Sequence, residues 1–163
     1  RTTLLRDLGA AMSPFNAFMF IQGLETLALR MKEHSKNGAM VAEFLQNHPK
    51  VERVSHPSVA DGFKKERADN YLNGGCGGLM GFEIKGGLES GKKFIESLEM
   101  FYHVANIGDS KSLAIHPAST THSQLNEEEL LSGGVSPGYI RLSIGLEHID
   151  DILEDLGNAL DNS

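Results

Sequence analysis

The sequence predicts an α+β fold, in which a small, mostly antiparallel β-sheet is covered by helices on one face and preceded by a long N-terminal helix. Three observations predict it. Short strand-like runs and helical runs follow one another in mixed order rather than in strict alternation. Apolar residues recur at helical spacing over about 34 residues, or roughly 50 Å of helix. The run at 139–145 alternates strictly, which is typical of a strand with one face on the core.

The size and composition are those of an ordinary globular domain. The chain has 163 residues, of which 40% are hydrophobic and 23% are charged, and such a chain can bury one core. A formal net charge of −7 without a basic cluster argues against a nucleic-acid surface. No apolar run reaches the roughly 18 residues of a membrane span, and no signal peptide is visible. We therefore expect neither a nucleic-acid nor a membrane partner.

Two further features concern the cellular context. A single cysteine, Cys76, excludes an internal disulfide framework and favours a reducing compartment, so we expect a cytoplasmic protein. The chain begins with Arg1 rather than with methionine, and we expect it to be a piece of a longer protein.

The first predicted element is a lead-in at residues 1–12 followed by the long helix. Ser13-Pro14 is a strong helix start, because serine caps free backbone N–H groups and proline fits the first turn. The helical spacing lasts until Pro49. A bend at Gly23 or Gly38 is one way to accommodate so long a helix, and a helix that bridges two bodies is the favoured alternative.

The length of this helix also predicts how the chain is divided. The predicted helix is longer than a small domain. Its N-terminal part carries Phe15, Phe18 and Phe20, which is more apolar surface than an otherwise polar helix end needs. We therefore expect the helix to bridge two bodies. Residues 1–50 are predicted to be the lead-in and connecting helix, and residues 51–163 a small domain.

The remaining elements are short. Strands are predicted at 51–57, 79–85, 101–105, 113–115 and 139–145, and helices at 88–100, 123–131 and 148–160. The polar segment 58–73 is predicted to be a solvated surface segment.

A glycine-rich turn precedes the strand at 79–85. A phosphate-binding loop would need a helix after the glycines of residues 73–78. A strand follows instead, so we expect a bulge or a close backbone approach. Cys76 within this turn is interpreted as a small turn residue rather than a nucleophile. His116 and His122 lie close in sequence, but no carboxylate or cysteine completes a metal-ligand spacing, so we expect no metal site.

Two segments carry the polar residues best suited to binding. The segment from Asn106 to Ser123 is a polar stretch interrupted by one short apolar run, and loops held by a rigid sheet often carry function. In the strand at 139–145, the even-numbered aliphatic residues share one face, and Arg141 and Ser143 share the other. If helices cover the aliphatic face, Arg141 points away from the core. From alternation alone, an ordinary solvated arginine remains the alternative.

Five motifs spread over the chain carry a resemblance to a known family. They are Leu8-Gly-Ala-Ala-Met-Ser-Pro-Phe-Asn-Ala-Phe, Gln22-Gly-Leu-Glu-Thr-Leu, His48-Pro-Lys-Val, Gly78-Leu-Met-Gly-Phe and Arg141-Leu-Ser-Ile-Gly-Leu-Glu-His-Ile-Asp-Asp-Ile. With the Asn106–Ser123 segment, they resemble the C-terminal domain of the pyridoxal-phosphate (PLP) enzymes of cysteine and methionine metabolism. The resemblance covers nearly the whole chain and implies the small domain of a fold-type I PLP enzyme.

The resemblance implies a substrate-binding role for three residues. The arginine that matches Arg141 makes a two-pronged salt bridge to the substrate α-carboxylate, which suits the guanidinium fork. Asn106-Ile107-Gly108 stands where many cystathionine-type members have Ser-Leu-Gly, and it resembles the O-acetylhomoserine sulfhydrylase branch. Asn106 and the neighbouring backbone N–H at Ile107 are therefore expected to help hold the carboxylate. Whether Asn106 acts by side chain or backbone, or only ends a strand, stays open.

The resemblance also implies where the chemistry resides. PLP is held on a lysine, which in this family precedes the position of Arg1, in a large domain. We therefore expect no catalytic residue, no bound PLP and no activity in this chain alone. His122 is implied to be structural, bonding loop backbone.

The implied reaction converts O-acetylhomoserine and sulfide or a thiol to homocysteine or methionine. It would take place in a homo-oligomer that includes the N-terminal PLP domain. A cystathionine or methionine gamma-lyase or a cystathionine gamma-synthase is the alternative within the class. A non-enzymatic binding domain is the alternative from another class.

Overall fold

The structure is a computed structural model that describes residues 3–163. Arg1 and Thr2, which belong to the predicted lead-in, lie outside the described residues. The helices are α1 (Leu4–Leu8), α2 (Pro14–Glu25), α3 (Leu27–Gln46), α4 (Gly62–Tyr71), α5 (Gly87–Ser97), α6 (Glu127–Ser132) and α7 (Ile149–Asp161). The strands are β1 (Val51–Ser55), β2 (Leu79–Ile84), β3 (Tyr102–His103), β4 (Leu113–Ile115) and β5 (Tyr139–Ser143).

The five strands form one sheet in the order β1-β2-β5-β4-β3. Every neighbouring pair is antiparallel except β3 and β4, which are parallel. The predicted α+β class and the mostly antiparallel sheet are therefore confirmed. β5 lies at the centre of the sheet, and both of its neighbours come from earlier in the chain.

The core lies between one face of this sheet and helices α3, α5 and α7. Ile140 and Leu142 of β5 have no exposed surface. Phe82 of β2 meets Phe94 of α5 edge to face, with ring centroids 5.4 Å apart. Aliphatic and aromatic burial of this kind drives the packing of the helices on the sheet. The other face of β5 is thereby left for Arg141.

The long N-terminal helix is present, but it breaks at Thr26 between α2 and α3 rather than at Gly23 or Gly38. Thr26 leaves helical geometry with φ −103° and ψ 3°. The Arg30 guanidinium donates to the carbonyl oxygen of Gly23 next to the break, so that this carbonyl has a partner. Gly38 serves packing instead: a Cβ there would collide with the backbone of Gly77.

The segment predicted as solvated surface is exposed and contains a helix that was not predicted. This helix, α4, buries no residue and carries a Lys65–Asp69 ion pair at 2.9 Å. The helix predicted from Ser123 begins at Glu127, because Asn126 and Glu129 form a reciprocal capping box with two 2.9 Å bonds. None of the described helices is long and apolar enough to cross a membrane.

Candidate functional site

Arg141 lies half-buried on the face of β5 that the core helices do not cover. Its neighbours across the sheet are Gly81 of β2 and Ile115 of β4. Gly81 has no side chain, and the Tyr139 ring packs over it where any Cβ would collide with the phenol. The arginine therefore stands between a tyrosine-covered glycine and a buried isoleucine, in the middle of the sheet.

The guanidinium of Arg141 contacts the backbone of the loop after β3. Its Nη2 donates to the carbonyl oxygen of Asn106 at 3.3 Å. No described carboxylate lies within 4.0 Å of it, whereas Arg53 pairs with Glu83 at 2.8 Å. Because a guanidinium has five N–H donors and no acceptor, Arg141 keeps donors and a positive charge for an anion.

The loop beside Arg141 turns its backbone N–H groups toward nearby acceptors. The N–H of Ile107 donates to Oδ1 of Asn106 at 3.0 Å, and the N–H of Gly108 donates to Oγ of Ser143 at 3.0 Å. Gly108 has φ +78°, a conformation that favours glycine. The side-chain oxygen of Asn106 thus accepts from the Ile107 N–H, while the backbone carbonyl oxygen of Asn106 accepts from Arg141.

The far end of this loop is fixed by a carboxylate. Glu147 accepts from the backbone N–H of Ser112 at 2.6 Å and from its hydroxyl at 2.9 Å. The Ser112 hydroxyl in turn accepts from Gly145 N–H at 2.9 Å. Asn37 of α3 donates to the carbonyl oxygens of Gly145 and Glu147. Helix α3 therefore braces the chain just after β5, and through it the loop.

The structure brings the predicted site residues together. Arg141 and Asn106 are in contact, and Ile107 lies next to them with 55% of its surface exposed. Sequence reasoning assigned no role to Ser112, Ser143 or Glu147. Alternation did place Ser143 on the Arg141 face, which is a signal for its position. No local pattern indicates that Ser112 and Glu147 would meet.

The histidines considered as metal ligands bind other groups. His116 is fully buried, with Nδ1 2.9 Å from Ser119 Oγ and Nε2 2.7 Å from the carbonyl oxygen of Pro137. Burial lowers the pKa of His116, and the bond to Pro137 opposes that shift only in part. Nδ1 of His122 contacts the Thr121 hydroxyl at 2.8 Å, so its side-chain partner is another side chain and not the expected backbone. The described residues contain no group of three or more potential metal ligands.

The glycine-rich turn approaches helix α3 closely, as predicted. Gly77 donates its N–H to Ser35 Oγ at 3.1 Å, and its carbonyl oxygen lies 3.2 Å from Nε2 of His56. A Cβ at Gly38 or Gly78 would collide with backbone atoms of the neighbouring segments. Packing thus explains Gly38 and Gly78, whereas Gly77 has φ +74° and open space beside it.

A large cleft in the described part of the chain lies elsewhere. It measures about 1000 Å³ between β1 and α4 and is lined by Arg53, Arg67 and Tyr71, among others. Neither Arg141 nor Asn106 lines it. The cleft and the Arg141 site are therefore separate features of the surface.

All nine lysines belong to the described residues, and none of them is buried. A lysine that reacts with a carbonyl group is usually desolvated, which lowers its pKa. The pKa of the exposed Lys111 is instead raised, chiefly by its hydrogen bond to the hydroxyl of Tyr102 at 3.0 Å. The lysine environments therefore do not fit covalent attachment of an aldehyde cofactor.

Comparison with known proteins gives a consistent set of relatives. Residues 1–161 match the family described as Cys/Met metabolism PLP-dependent enzyme. The chain is 59% identical over 97% of its length to O-acetyl-L-homoserine sulfhydrylase of Leptospira meyeri, covering 36% of that protein. It is 44% identical over 99% of its length to homocysteine synthase of Schizosaccharomyces pombe, covering 38% of that protein.

One solved structure is similar in both sequence and shape. It is a Campylobacter jejuni protein described as an O-acetylhomoserine (thiol)-lyase with N'-pyridoxyl-lysine-5'-monophosphate. The two share 47% identity with a TM-score of 0.85, over 98% of this chain and 38% of that one. The chain thus spans little more than a third of the length of the relatives it matches.

Proposed function

The chain belongs to the Cys/Met metabolism PLP-dependent enzymes, and from this premise we propose that it is the substrate-carboxylate-binding part of an O-acetylhomoserine sulfhydrylase. The whole protein would replace the acetate of O-acetylhomoserine with sulfide or a thiol and release homocysteine or methionine. The names of the relatives support the reaction. The binding role rests on the state of the Arg141 guanidinium. It contacts the Asn106 backbone, and no described carboxylate neutralises its charge.

Arg141 is the principal anchor in this proposal. Its guanidinium matches a carboxylate with two parallel N–H donors. The half-buried position excludes part of the solvent, which strengthens the attraction relative to an exposed arginine. Because the α-carboxylate is held while chemistry occurs at the neighbouring carbon, Arg141 would orient the reacting bonds as well as bind the substrate.

The N–H of Ile107 is the second anchor. Its present acceptor is Oδ1 of Asn106, an oxygen on the residue whose carbonyl faces Arg141. An incoming carboxylate oxygen would replace this amide oxygen on the Ile107 N–H, and the Asn106 amide would turn to donate through Nδ2. Asn106 would then act through both its side chain and its backbone.

The cofactor is assigned to another part of the protein. PLP supplies an electron sink for charge that develops on the substrate carbon. The described residues do not fit it, because no lysine is buried and a strand rather than a helix follows the glycines of 73–78. We propose that the cofactor lysine and phosphate site lie outside this chain.

Burial along the N-terminal helices changes between α2 and α3, so α3 belongs to the packed core although it precedes residue 50. Helices α1 and α2 contain no buried residue, whereas α3 buries His34, Val41 and Leu45, among others, against the sheet. We propose that 51–163 form the small domain, that α3 packs on it, and that α2 reaches toward the PLP-bearing domain of a homo-oligomer.

The proposal is tested with the full-length protein that contains this chain. We expect homocysteine from O-acetylhomoserine and sulfide, and little breakdown of cystathionine or methionine. The methyl ester of O-acetylhomoserine, which lacks the carboxylate charge, should be a poor substrate with a raised KM. Equal efficiency with ester and acid would refute the carboxylate role, and faster cleavage of cystathionine or methionine would favour the lyase alternative.

A further inference from the structure

We infer that Ser143 is a positioning residue, which holds the Asn106–Gly108 segment at the distance from Arg141 at which both can contact one carboxylate. The inference rests on the proposed function. Ser143 lies two residues from Arg141 on the same face of β5, and 4% of its surface is exposed. Its hydroxyl oxygen accepts from the Gly108 N–H at 3.0 Å.

Residues 106–110 are attached to the chain around β5 by three hydrogen bonds. Arg141 donates to the Asn106 carbonyl at 3.3 Å, Gly108 donates to Ser143 at 3.0 Å, and Leu146 donates to the Ser110 carbonyl at 2.8 Å. The first attachment uses the group that is proposed to bind the ligand, and the last is a backbone bond. The bond to Ser143 is therefore the one attachment among the three that uses a side chain outside the proposed ligand contacts.

The position of this bond determines what it can control. Gly108 directly follows Ile107, so fixing the Gly108 amide also fixes the direction of the Ile107 N–H. Residues 102–111 are all exposed, and few buried contacts restrain an exposed segment. Without the Ser143 hydroxyl, the Gly108 N–H loses its acceptor, and only the bonds to Asn106 and Ser110 still hold the segment beside Arg141. A displacement of about 1 Å in a positioning contact can be costly to a reaction.

A hydrogen bond of the same type occurs elsewhere in the chain and supplies a control. Ser35 on α3 accepts from the Gly77 N–H at 3.1 Å, which is again a hydroxyl holding a glycine amide. Ser35→Ala and Ser143→Ala therefore remove equivalent bonds, and only the second bond adjoins the proposed site. A purely structural role for Ser143 predicts similar consequences for the two variants.

The test uses the full-length, PLP-loaded protein. In Ser143→Ala we expect the dissociation constant of an unreactive L-amino acid, and the KM for O-acetylhomoserine, to rise about 5- to 30-fold. Ser35→Ala should leave both within about 2-fold of the wild-type value. Binding of the corresponding amine without a carboxylate should be the same in all three proteins. Hydrogen exchange should accelerate at 106–110 in Ser143→Ala and at 74–78 in Ser35→Ala.

A double variant separates this inference from the proposed function. If Ser143 acts through the carboxylate site, its loss should have a smaller effect when Arg141→Lys has already removed the two-pronged contact. Unchanged carboxylate affinity in Ser143→Ala, or an equal loss of amine affinity, would overturn the inference alone. Unchanged carboxylate affinity in Arg141→Ala would overturn the proposed function itself.

Discussion

Arg141 donates a hydrogen bond from Nη2 to the carbonyl oxygen of Asn106 at 3.3 Å, although the two residues are 35 positions apart in the sequence. The next residue, Ile107, donates its N–H to Oδ1 of the same asparagine at 3.0 Å. A carboxylate that approaches Arg141 therefore also meets the Ile107 N–H, whose present acceptor is the rotatable side chain of Asn106. Asn106 is the residue that a ligand would have to displace.

This arrangement predicts that Asn106→Asp impairs the full-length protein more than Asn106→Ala does. An aspartate would place a negative charge beside Arg141 and compete with the substrate carboxylate. We expect a KM for O-acetylhomoserine roughly 10- to 100-fold above that of Asn106→Ala, with no loss of stability. Asn70→Asp makes the same charge change on the exposed surface of α4 and should have no effect. A KM below that of Asn106→Ala would contradict the competition.

The position of Arg141 followed from the sequence, whereas its partners did not. Strict alternation over five residues of β5 assigns each side chain to a face of the sheet, and the structure keeps that assignment. The contact with Asn106 depends on a loop that returns beside β5 after β3. The Ser112–Glu147 bonds that hold the loop likewise join segments 35 residues apart. Spacing within one strand or helix carries no information on such contacts.

The helix boundaries show a similar division between local and distant causes. Ser13 caps α2 as predicted, accepting from Asn16 N–H at 3.2 Å; this cap is predictable because the two residues lie within one helical turn. The break at Thr26 was missed, because it involves a carbonyl at Gly23 and a side chain at Arg30 on two successive helices. Helix α4 was missed, because a helix that buries no residue has no apolar stripe to reveal it.

A second prediction concerns the cofactor. None of the lysines is buried, and the pKa of Lys111 is raised rather than lowered. We therefore expect this chain on its own to be inactive and to form no stoichiometric adduct with PLP. The measurement is borohydride trapping followed by mass mapping of the modified lysines. Scattered partial labelling agrees with the prediction, and one fully labelled lysine contradicts it.

A third prediction concerns helix α2. None of its residues is buried, and Phe15 and Phe18 are 71% and 55% exposed. Apolar surface of this kind tends to find a partner, so we expect the chain on its own to self-associate at high concentration. Replacing both phenylalanines by serine should shift sedimentation toward the monomer. Phe63→Ser removes an aromatic ring that is 69% exposed on α4 and should not. A monomeric wild-type chain at high concentration would refute this.

A fourth prediction concerns pH and stability. Burial lowers the pKa of His116 and of His56 below the ordinary value of 6.5, so the unfolded chain binds protons that the folded chain does not. Their contribution is present above pH 6.5 and is lost as the pH falls toward the lowered pKa values. Urea unfolding between neutral pH and about pH 5.5 should show this decrease. The decrease should be smaller in His116→Gln and unchanged in His148→Asn, which replaces an exposed histidine with another capping residue. An undiminished decrease in His116→Gln would exclude His116 as a cause.

The last prediction concerns Arg141 in the full-length protein. Arg141→Ala removes both the charge and the guanidinium fork, and Arg141→Lys keeps only the charge. Loss of one partner of a desolvated charge pair costs about 2–5 kcal/mol, so kcat/KM should fall roughly 30- to several-thousand-fold in the alanine variant. Lysine should recover only part of this, because it cannot form the two-pronged contact.

Stability and cofactor binding distinguish this role of Arg141 from its alternatives. The only described hydrogen-bond partner of its guanidinium is the Asn106 carbonyl oxygen, 3.3 Å away on an exposed loop. The free energy of unfolding should therefore change little in the variants. The cofactor should still bind, because its proposed site lies outside this chain. A solvated surface arginine predicts no loss of activity or stability, and a structural arginine predicts a loss of stability. Near-normal turnover of O-acetylhomoserine by a folded, PLP-loaded Arg141→Ala protein would rule out Arg141 as the carboxylate anchor.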